Sequence, residues 1–221
     1  MFKRNQLEEA IALVYEPGLT KSTSEIRTQL KRLLETDRSL GRNKRSSDPE
    51  RANFAFYSVD TPGRGTENCF SEYEALALLT CLRLMRHGWP QARAVALLRR
   101  VRPGLEKHHA RILKQDPATL FDQYLIRQRA KPGTLAVDNT DPVFLVIASG
   151  DQHGRSSTNS AAICRGQEEL VPFVRAQGSA KPWTALELVN SIHDLSSALA
   201  NIKPRRRGRV AKKGTDGVRS P

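Results

Sequence analysis

The stretch from 70 to 101, FSEYEALALLTCLRLMRHGWPQARAVALLRRV, constrains the fold most, because it carries the signals of two helices and of the corner between them. Ser71 followed by Glu74 has the spacing of a capping box, in which each side chain bonds the backbone N–H of the other residue. A helix is therefore predicted to begin at Glu72. Its apolar stripe consists of Ala75, Leu78, Leu79, Leu82 and Met85.

This first helix is expected to end near His87, because Gly88 stops a helix and Pro90 suits the start of the next one. Apolar residues recur in the second helix at positions 94, 97, 98 and 101. Pro103-Gly104 is expected to end the domain, so that 105–113 forms a separate helix. Two core helices of this kind occur in many small domains. The arginines left for solvent or for a polyanion are Arg93, Arg99 and Arg100.

Charge is the first feature that indicates a class of partner. The 221 residues include 36 Lys+Arg and 23 Asp+Glu, which gives a net charge of +13, with a pI of about 10.2. Such a balance favours an anionic partner, for example nucleic acid. Seven of the basic residues lie between 203 and 213, so the remainder of the chain still carries +6.

The N-terminal segment has the outline of a helix-turn-helix. Residues 5–15 place Leu7, Ile11 and Val14 on one face, and Pro17-Gly18 breaks that helix. Ser22 with Glu25 forms a second capping-box pattern, which predicts another helix. The apolar residues of this second helix are Ile26, Leu30, Leu33 and Leu34. A helix, a turn and a capped helix together match the outline of the motif.

The polar side of that second helix, around 24–36, is the candidate for contact with bases. It mixes short hydroxyls with long cations, as a helix entering a major groove requires. The candidate residues are Ser24, Arg27, Thr28, Lys31 and Arg38. The alternative is a solvated basic face, which surface helices carry routinely.

Residues 53–59 alternate in the manner of a strand, 61–65 form a turn, and 66–70 can return as a short second strand. This hairpin, near 53–70, has the position of a wing between the basic helix and the capped helix. Arg64 at its tip would contact a phosphate without reading bases, or it is a plain exposed turn arginine. The preceding residues 41–52 are polar and are predicted to form a mobile loop.

The aromatic-Ser-Glu start at 70–72, the leucine-rich helix and the His-Gly-Trp-Pro corner at 87–90 resemble the segment that follows the wing in MerR-type winged helix-turn-helix regulators. The order of elements over residues 1–102 resembles that DNA-binding domain as a whole. The resemblance implies a transcriptional regulator, with Arg27 matched by its place in the second helix. The chain departs from the family at 26–30, which read IRTQL instead of Arg-aromatic-aromatic, and in the longer 41–52 segment.

The remaining sequence predicts linking helices over 103–133, with Leu120, Tyr124 and Leu125 as core positions, and a small α+β domain over 134–202. Strands are expected at 142–148, 161–165 and 183–189 and a helix at 191–202, while 167–176 is ambiguous because it contains Pro172. The tail 203–221 is expected to be disordered and to hold phosphates electrostatically, or only to solubilise the chain. Its candidate contacts are Arg205, Arg206 and Arg207.

No catalytic or cofactor motif is recognised. Asp151 and His153 lie in a loop that lacks a nucleophile elbow or oxyanion-hole spacing, so a flexible polar loop is preferred to an active site. His108-His109 make a poor metal pair, and the three cysteines have no metal-like spacing. The cysteine usage and the absence of an 18-residue apolar run or a signal-peptide core predict a soluble cytoplasmic protein without membrane contact.

The sequence thus predicts a mainly α, α+β protein with an N-terminal winged helix-turn-helix (1–102), linking helices, a small α+β domain and a disordered basic tail. It is expected to be a DNA-binding transcriptional regulator, not an enzyme, without a cofactor or metal; homodimerisation stays open, and an effector is unknown. The alternative is a basic adaptor protein that binds a protein partner and holds RNA or other polyanions non-specifically.

Overall fold

The computed structural model describes residues 1–16, 18, 24–58, 69–130, 137–148, 160–178 and 182–204. These residues form nine helices and five short strands. In chain order they are β1 (Phe2–Lys3), α1 (Arg4–Tyr15), α2 (Ser24–Ser39), α3 (Pro49–Ala52), β2 (Cys69–Phe70), α4 (Glu72–Arg86), α5 (Gln91–Ile112), α6 (Pro117–Leu120), α7 (Gln123–Arg129), β3 (Val143–Ala148), β4 (Ser160–Arg165), α8 (Gly166–Ala176), β5 (Trp183–Glu187) and α9 (Val189–Asn201). The predicted class, α+β and mainly α, is confirmed.

The strands form two antiparallel sheets. β1 pairs with β2, with Phe2 opposite Phe70. The larger sheet has the order β4-β3-β5, with Ala148 of β3 opposite both Ser160 and Trp183. All six residues of β3 are buried, because α8 packs on this central strand and the other side faces the helical core. Two separate apolar clusters therefore meet at the sheet.

α4 lies at the centre of the helical part and packs against α1, α2, α5 and α9. The predicted capping box is present: Ser71 Oγ accepts from Glu74 N at 3.2 Å, and the Glu74 carboxylate accepts from Ser71 N at 2.7 Å. Burial extends around almost the whole helix and includes Ala75, Leu78, Leu79 and Leu82. A helix covered on all sides needs this nearly continuous apolar composition.

The predicted end of the second helix at Pro103-Gly104 is wrong, since α5 continues through Pro103 to Ile112. Proline within a helix forfeits one backbone hydrogen bond and costs about 3 kcal/mol or more. Leu105 and Ile112, which lie beyond the proline, are both buried. Burying two such side chains contributes roughly 3–6 kcal/mol, which offsets the local cost.

The strand predicted at 53–59 is also wrong over its described part, because residues 53–58 follow an irregular path with bends at 55, 56 and 58. Phe54, Phe56 and Tyr57 are buried. Their neighbouring backbone groups bond buried side chains instead of a partner strand: Asp37 accepts from the N–H groups of Ala55 and Phe56 at 3.1 and 3.0 Å. Arg102 donates to the carbonyls of Phe54 and Tyr57.

The strands expected in the C-terminal region are confirmed at β3, β4 and β5, and the ambiguous segment is the helix α8 despite Pro172. α9 packs against α1 and α4, so one apolar cluster contains residues from both ends of the chain. The division at 102 and 134 stays a prediction. In the linking region Leu120 is buried as expected, whereas Tyr124 is 68% exposed and is not a core residue.

Candidate nucleic-acid interface

α2 is fixed to the protein through one side. Ile26, Leu30, Leu33 and Leu34 are buried, as their spacing predicts, and the helix contacts α1, α4 and α5. At 100° per residue, the exposed positions 24, 27, 28, 31 and 38 fall within a common arc of the helix. The packing therefore leaves one continuous side of α2 open to a partner.

The five predicted contact residues of α2 lie on this exposed side: Ser24, Arg27, Thr28, Lys31 and Arg38. The Thr28 hydroxyl donates to the Ser24 carbonyl at 2.8 Å. Its oxygen lone pairs remain available to accept a hydrogen bond. Long cations at 27 and 31 flank this hydroxyl one turn apart, so the surface offers both charged donors and a neutral acceptor.

Two of these cations make weak contacts within the chain. Arg27 Nε is 3.6 Å from Glu8 Oε2, and Lys31 Nζ is 3.8 Å from Glu35 Oε1. Both cationic side chains are more than half exposed. Exposed pairs contribute about 0–1 kcal/mol, so a phosphate or a base edge can compete for either side chain.

Arg38 is held by an aromatic residue that sequence reasoning assigned to a strand. Its guanidinium carbon lies 5.7 Å from the ring centroid of Tyr57, and Nη2 is 3.5 Å from the phenol oxygen. Burial raises the pKa of Tyr57, against the opposing effect of the Arg38 charge. Tyr57 therefore stays a neutral phenol and orients Arg38 at the C-terminal end of α2.

The same end of α2 is anchored by a buried ion pair. Arg99 Nε lies 2.6 Å from Asp37 Oδ1, and neither side chain is more than 4% exposed. Arg99 also donates to the carbonyls of Asp37 and Gly41. The expectation that Arg99 faces solvent is therefore wrong. The sequence signal for this pair is Asp37, which lies seven residues after Leu30 on the apolar side of α2. A carboxylate in that position is buried, and a buried carboxylate requires a cationic partner.

Residues 41–51, which follow α2, form a basic surface that the sequence analysis did not identify as a binding element. The 41–51 segment carries four cations and reaches into the short helix α3, so residues 41–52 are not simply the mobile loop that the sequence predicts. Asn43 N donates to Arg51 O at 2.7 Å, and Asp48 accepts from Glu50 N at 3.0 Å. Its cations, of which the last three are exposed, are Arg42, Lys44, Arg45 and Arg51.

Only part of the predicted wing, residues 53–58 and 69–70, lies within the described residues. β2 pairs with β1, not with residues 53–58, so the predicted hairpin between 53–59 and 66–70 does not form in its described part. Arg64 lies outside the described residues. The same holds for Asp151 and His153 and for the tail residues Arg205, Arg206 and Arg207.

Among the residues that the structure describes, no helix is both long and apolar enough to span a bilayer. Within the same part of the chain, no group of three His, Cys, Asp or Glu side chains is placed to hold a metal ion. Comparisons of the chain with protein-family models, with curated proteins and with solved structures give no match.

Proposed function

We propose that this chain is a cytoplasmic DNA-binding protein that regulates transcription, and that α2 is its recognition helix. The single observation that carries the proposal is the exposed side of α2, where two hydroxyls and three cations stand on a helix whose other side is packed into the core. Hydroxyls and cations of this length are the groups that reach base edges in a major groove.

The anchoring of α2 supports this role. A recognition helix must keep its angle to the rest of the protein when it enters a groove. Asp37 and Arg99 hold one end from inside, and Gln91 Nε2 donates to Thr36 Oγ1 at 2.6 Å. The reading side is therefore presented by a rigid element, which favours precise contacts.

The charge of the chain supplies the non-specific part of the affinity. Phosphates would be held by the 41–51 segment next to α2, by Arg64 and by the arginines of the tail. Such contacts neutralise phosphates, release counterions and make the affinity fall steeply with salt. We include in this proposal that the helices over residues 1–102 form a DNA-binding domain similar to that of MerR-type regulators.

The test is selection of bound sequences from a random duplex pool with the full chain, followed by titration of the enriched duplex. Arg27→Ala and Lys31→Ala are each expected to weaken binding by about 1–3 kcal/mol, roughly 5-fold to 150-fold in Kd, and to relax the preference at one position. Lys107→Ala removes the same charge from an exposed site on α5 and serves as the matched control.

If the selection enriches no motif, the recognition-helix assignment is wrong. It is also wrong if the α2 variants and the Lys107 variant bind the enriched duplex with equal affinity. Capture of one stoichiometric protein partner that survives nuclease treatment, in a chain without sequence preference, would support the adaptor function instead.

A further inference from the structure

Glu8 of α1 contacts two arginines, one on its own helix and one on the candidate recognition helix. Arg4 Nε lies 2.8 Å from Glu8 Oε1, and Arg27 Nε lies 3.6 Å from Glu8 Oε2. The Glu8 side chain is only 13% exposed, whereas that of Arg27 is 55% exposed. One largely buried carboxylate therefore connects α1 to a cation on the surface that the proposed function assigns to DNA.

This contact restricts the direction of the Arg27 side chain and leaves it able to bind. Glu8 accepts a hydrogen bond from Arg4 one turn earlier in α1, so the direction of its second carboxylate oxygen is restricted as well. A separation of 3.6 Å marks an ion pair and is too long for a hydrogen bond. The pair therefore orients the guanidinium of Arg27 without using any of its N–H donors.

Lys31, one turn further along α2, has a different environment. Its Nζ lies 3.8 Å from Glu35 Oε1, but the Lys31 and Glu35 side chains are 64% and 60% exposed. An exposed pair of two long side chains restricts neither partner, and an ammonium is a point charge without a fixed plane. Of these two cations, Arg27 is the one whose geometry suits discrimination between bases.

The position of Arg27 on α2 also suits contact with a base. It is the fourth residue of the helix, and in helix-turn-helix proteins the N-terminal residues of the recognition helix contact base edges. A guanidinium can donate two parallel N–H bonds to O6 and N7 of guanine, which are both acceptors on the major-groove edge. Adenine presents an N–H donor beside its N7, so it does not match this pair of donors.

We propose that Arg27 recognises guanine in the major groove, and that Glu8 is the positioning residue that orients its guanidinium for this contact. The inference rests on the proposed function, because it names the base that α2 distinguishes. An arginine that is restrained before binding loses less side-chain freedom when it meets guanine. The restraint by Glu8 therefore increases the difference in affinity between guanine and the other bases.

The test starts from the duplex enriched by the full chain and identifies the position at which Arg27→Ala loses its preference. The preferred base there is expected to be guanine. The parent should bind a duplex with an A·T pair at this position about 5-fold to 150-fold more weakly. Replacement by 7-deazaguanine, which lacks the N7 acceptor, should weaken binding roughly 10-fold. Arg27→Ala should show neither difference.

Arg27→Lys separates charge from geometry. It should keep the salt dependence of the parent, because it keeps the charge. It should lose most of the preference for guanine, because one ammonium does not present the planar pair of donors that a guanidinium does.

Glu8→Gln keeps the size of the side chain and removes its charge. The matched control is Glu25→Gln, which removes the same charge from α2 at a carboxylate that accepts from Gln29 Nε2 at 3.4 Å. Only Glu8→Gln should reduce the ratio of the affinities for the guanine and A·T duplexes, by roughly 2-fold to 10-fold. Because this ratio is taken within one variant, any change in the folded fraction or in the net charge cancels from it.

The outcomes separate this inference from the proposed function. If the selection enriches no motif, both fail. If a motif is enriched but Arg27→Ala relaxes no position, or relaxes one that is not guanine, only this inference is wrong. Equal weakening of every duplex by Arg27→Ala, with the slope of log affinity against log salt reduced by about 0.9, would make Arg27 a phosphate contact. An unchanged ratio in Glu8→Gln would overturn the positioning role of Glu8.

Discussion

The Asp37 carboxylate of α2 and the Arg99 guanidinium of α5 form an ion pair of 2.6 Å inside the protein. The same carboxylate also accepts the backbone N–H groups of Ala55 and Phe56. The Asp37 side chain thereby connects α2 with α5 and with the 53–58 segment. The placement of the candidate recognition helix depends on this joint.

Arg99→Met is expected to destabilise the protein by about 3–5 kcal/mol, because it leaves the Asp37 carboxylate buried without a cation. Urea unfolding at neutral pH measures the change in the free energy of unfolding. Arg93→Met, at an exposed position of the same helix, should change it by no more than about 0.5 kcal/mol. Equal effects in the two variants would mean that the buried pair does not hold α2.

Ser71→Ala is expected to cost about 1 kcal/mol, within a range of roughly 0.5–2 kcal/mol, because it removes the N-cap of the central helix α4. The Glu74 carboxylate would keep its bonds to Ser71 N and to Ser58, so half of the capping box survives. Thermal unfolding compares this variant with Ser47→Ala, which lies at an exposed position outside any helix. A variant as stable as the Ser47 control would show that the cap hydroxyl contributes nothing measurable.

Lys44→Gln combined with Arg45→Gln is expected to reduce the salt dependence of duplex binding. Each lost phosphate contact lowers the slope of log affinity against log salt by about 0.9, so the double variant should lose up to about 1.8. The preferred sequence should stay the same, because phosphate contacts do not read bases. Lys107→Gln with Lys114→Gln is the matched control on other exposed sites. An identical slope in both double variants would exclude the 41–51 segment from the interface.

His109 is expected to make the stability of the protein decrease in acid. Burial lowers the pKa of His109 below its ordinary value of 6.5, against the opposing charges of Glu72 and Glu106. The unfolded chain therefore takes up the proton first as the pH falls below 6.5, and the folded state loses stability in that window. The loss amounts to about 1.4 kcal/mol for each unit between the two pKa values.

His109→Gln removes that titration and keeps a polar side chain beside Tyr73, whose ring centroid lies 5.9 Å from that of His109. Its free energy of unfolding, measured by urea titration from neutral pH to about pH 5, should fall less steeply than that of the parent. His108 and His193 have pKa values lowered by burial as well, so part of the dependence remains. A variant with the parent's pH dependence would contradict the assignment to His109.

The elements that depend on local pattern could be predicted from the sequence. The capping box at Ser71, the stripe of α4 and the apolar run of β3 each contain their own signal within a few residues. The exposed side of α2 follows from the same periodicity, so the candidate contact residues were placed correctly on the surface. What they bind remains a prediction.

The features that the sequence did not predict depend on residues far apart in the chain. The alternation at 53–59 is typical of a strand, but its backbone groups bond Asp37 and Arg102, which lie more than fifteen residues away on either side. Pro103 has a strong local tendency to end a helix, and only the burial of Leu105 and Ile112 overrides it.

Residues 54–57 carry three aromatic side chains in four positions, a composition that in an unpaired extended segment invites association with other chains. From Phe54 to Ser58, five main-chain groups are already bonded to Asp37, Arg102 and Glu74. An incoming strand would find these donors and acceptors occupied. Asp37, which positions α2, thus also takes part with Arg102 and Glu74 in closing this segment to strand pairing, and variants that remove these side chains are expected to lose solubility.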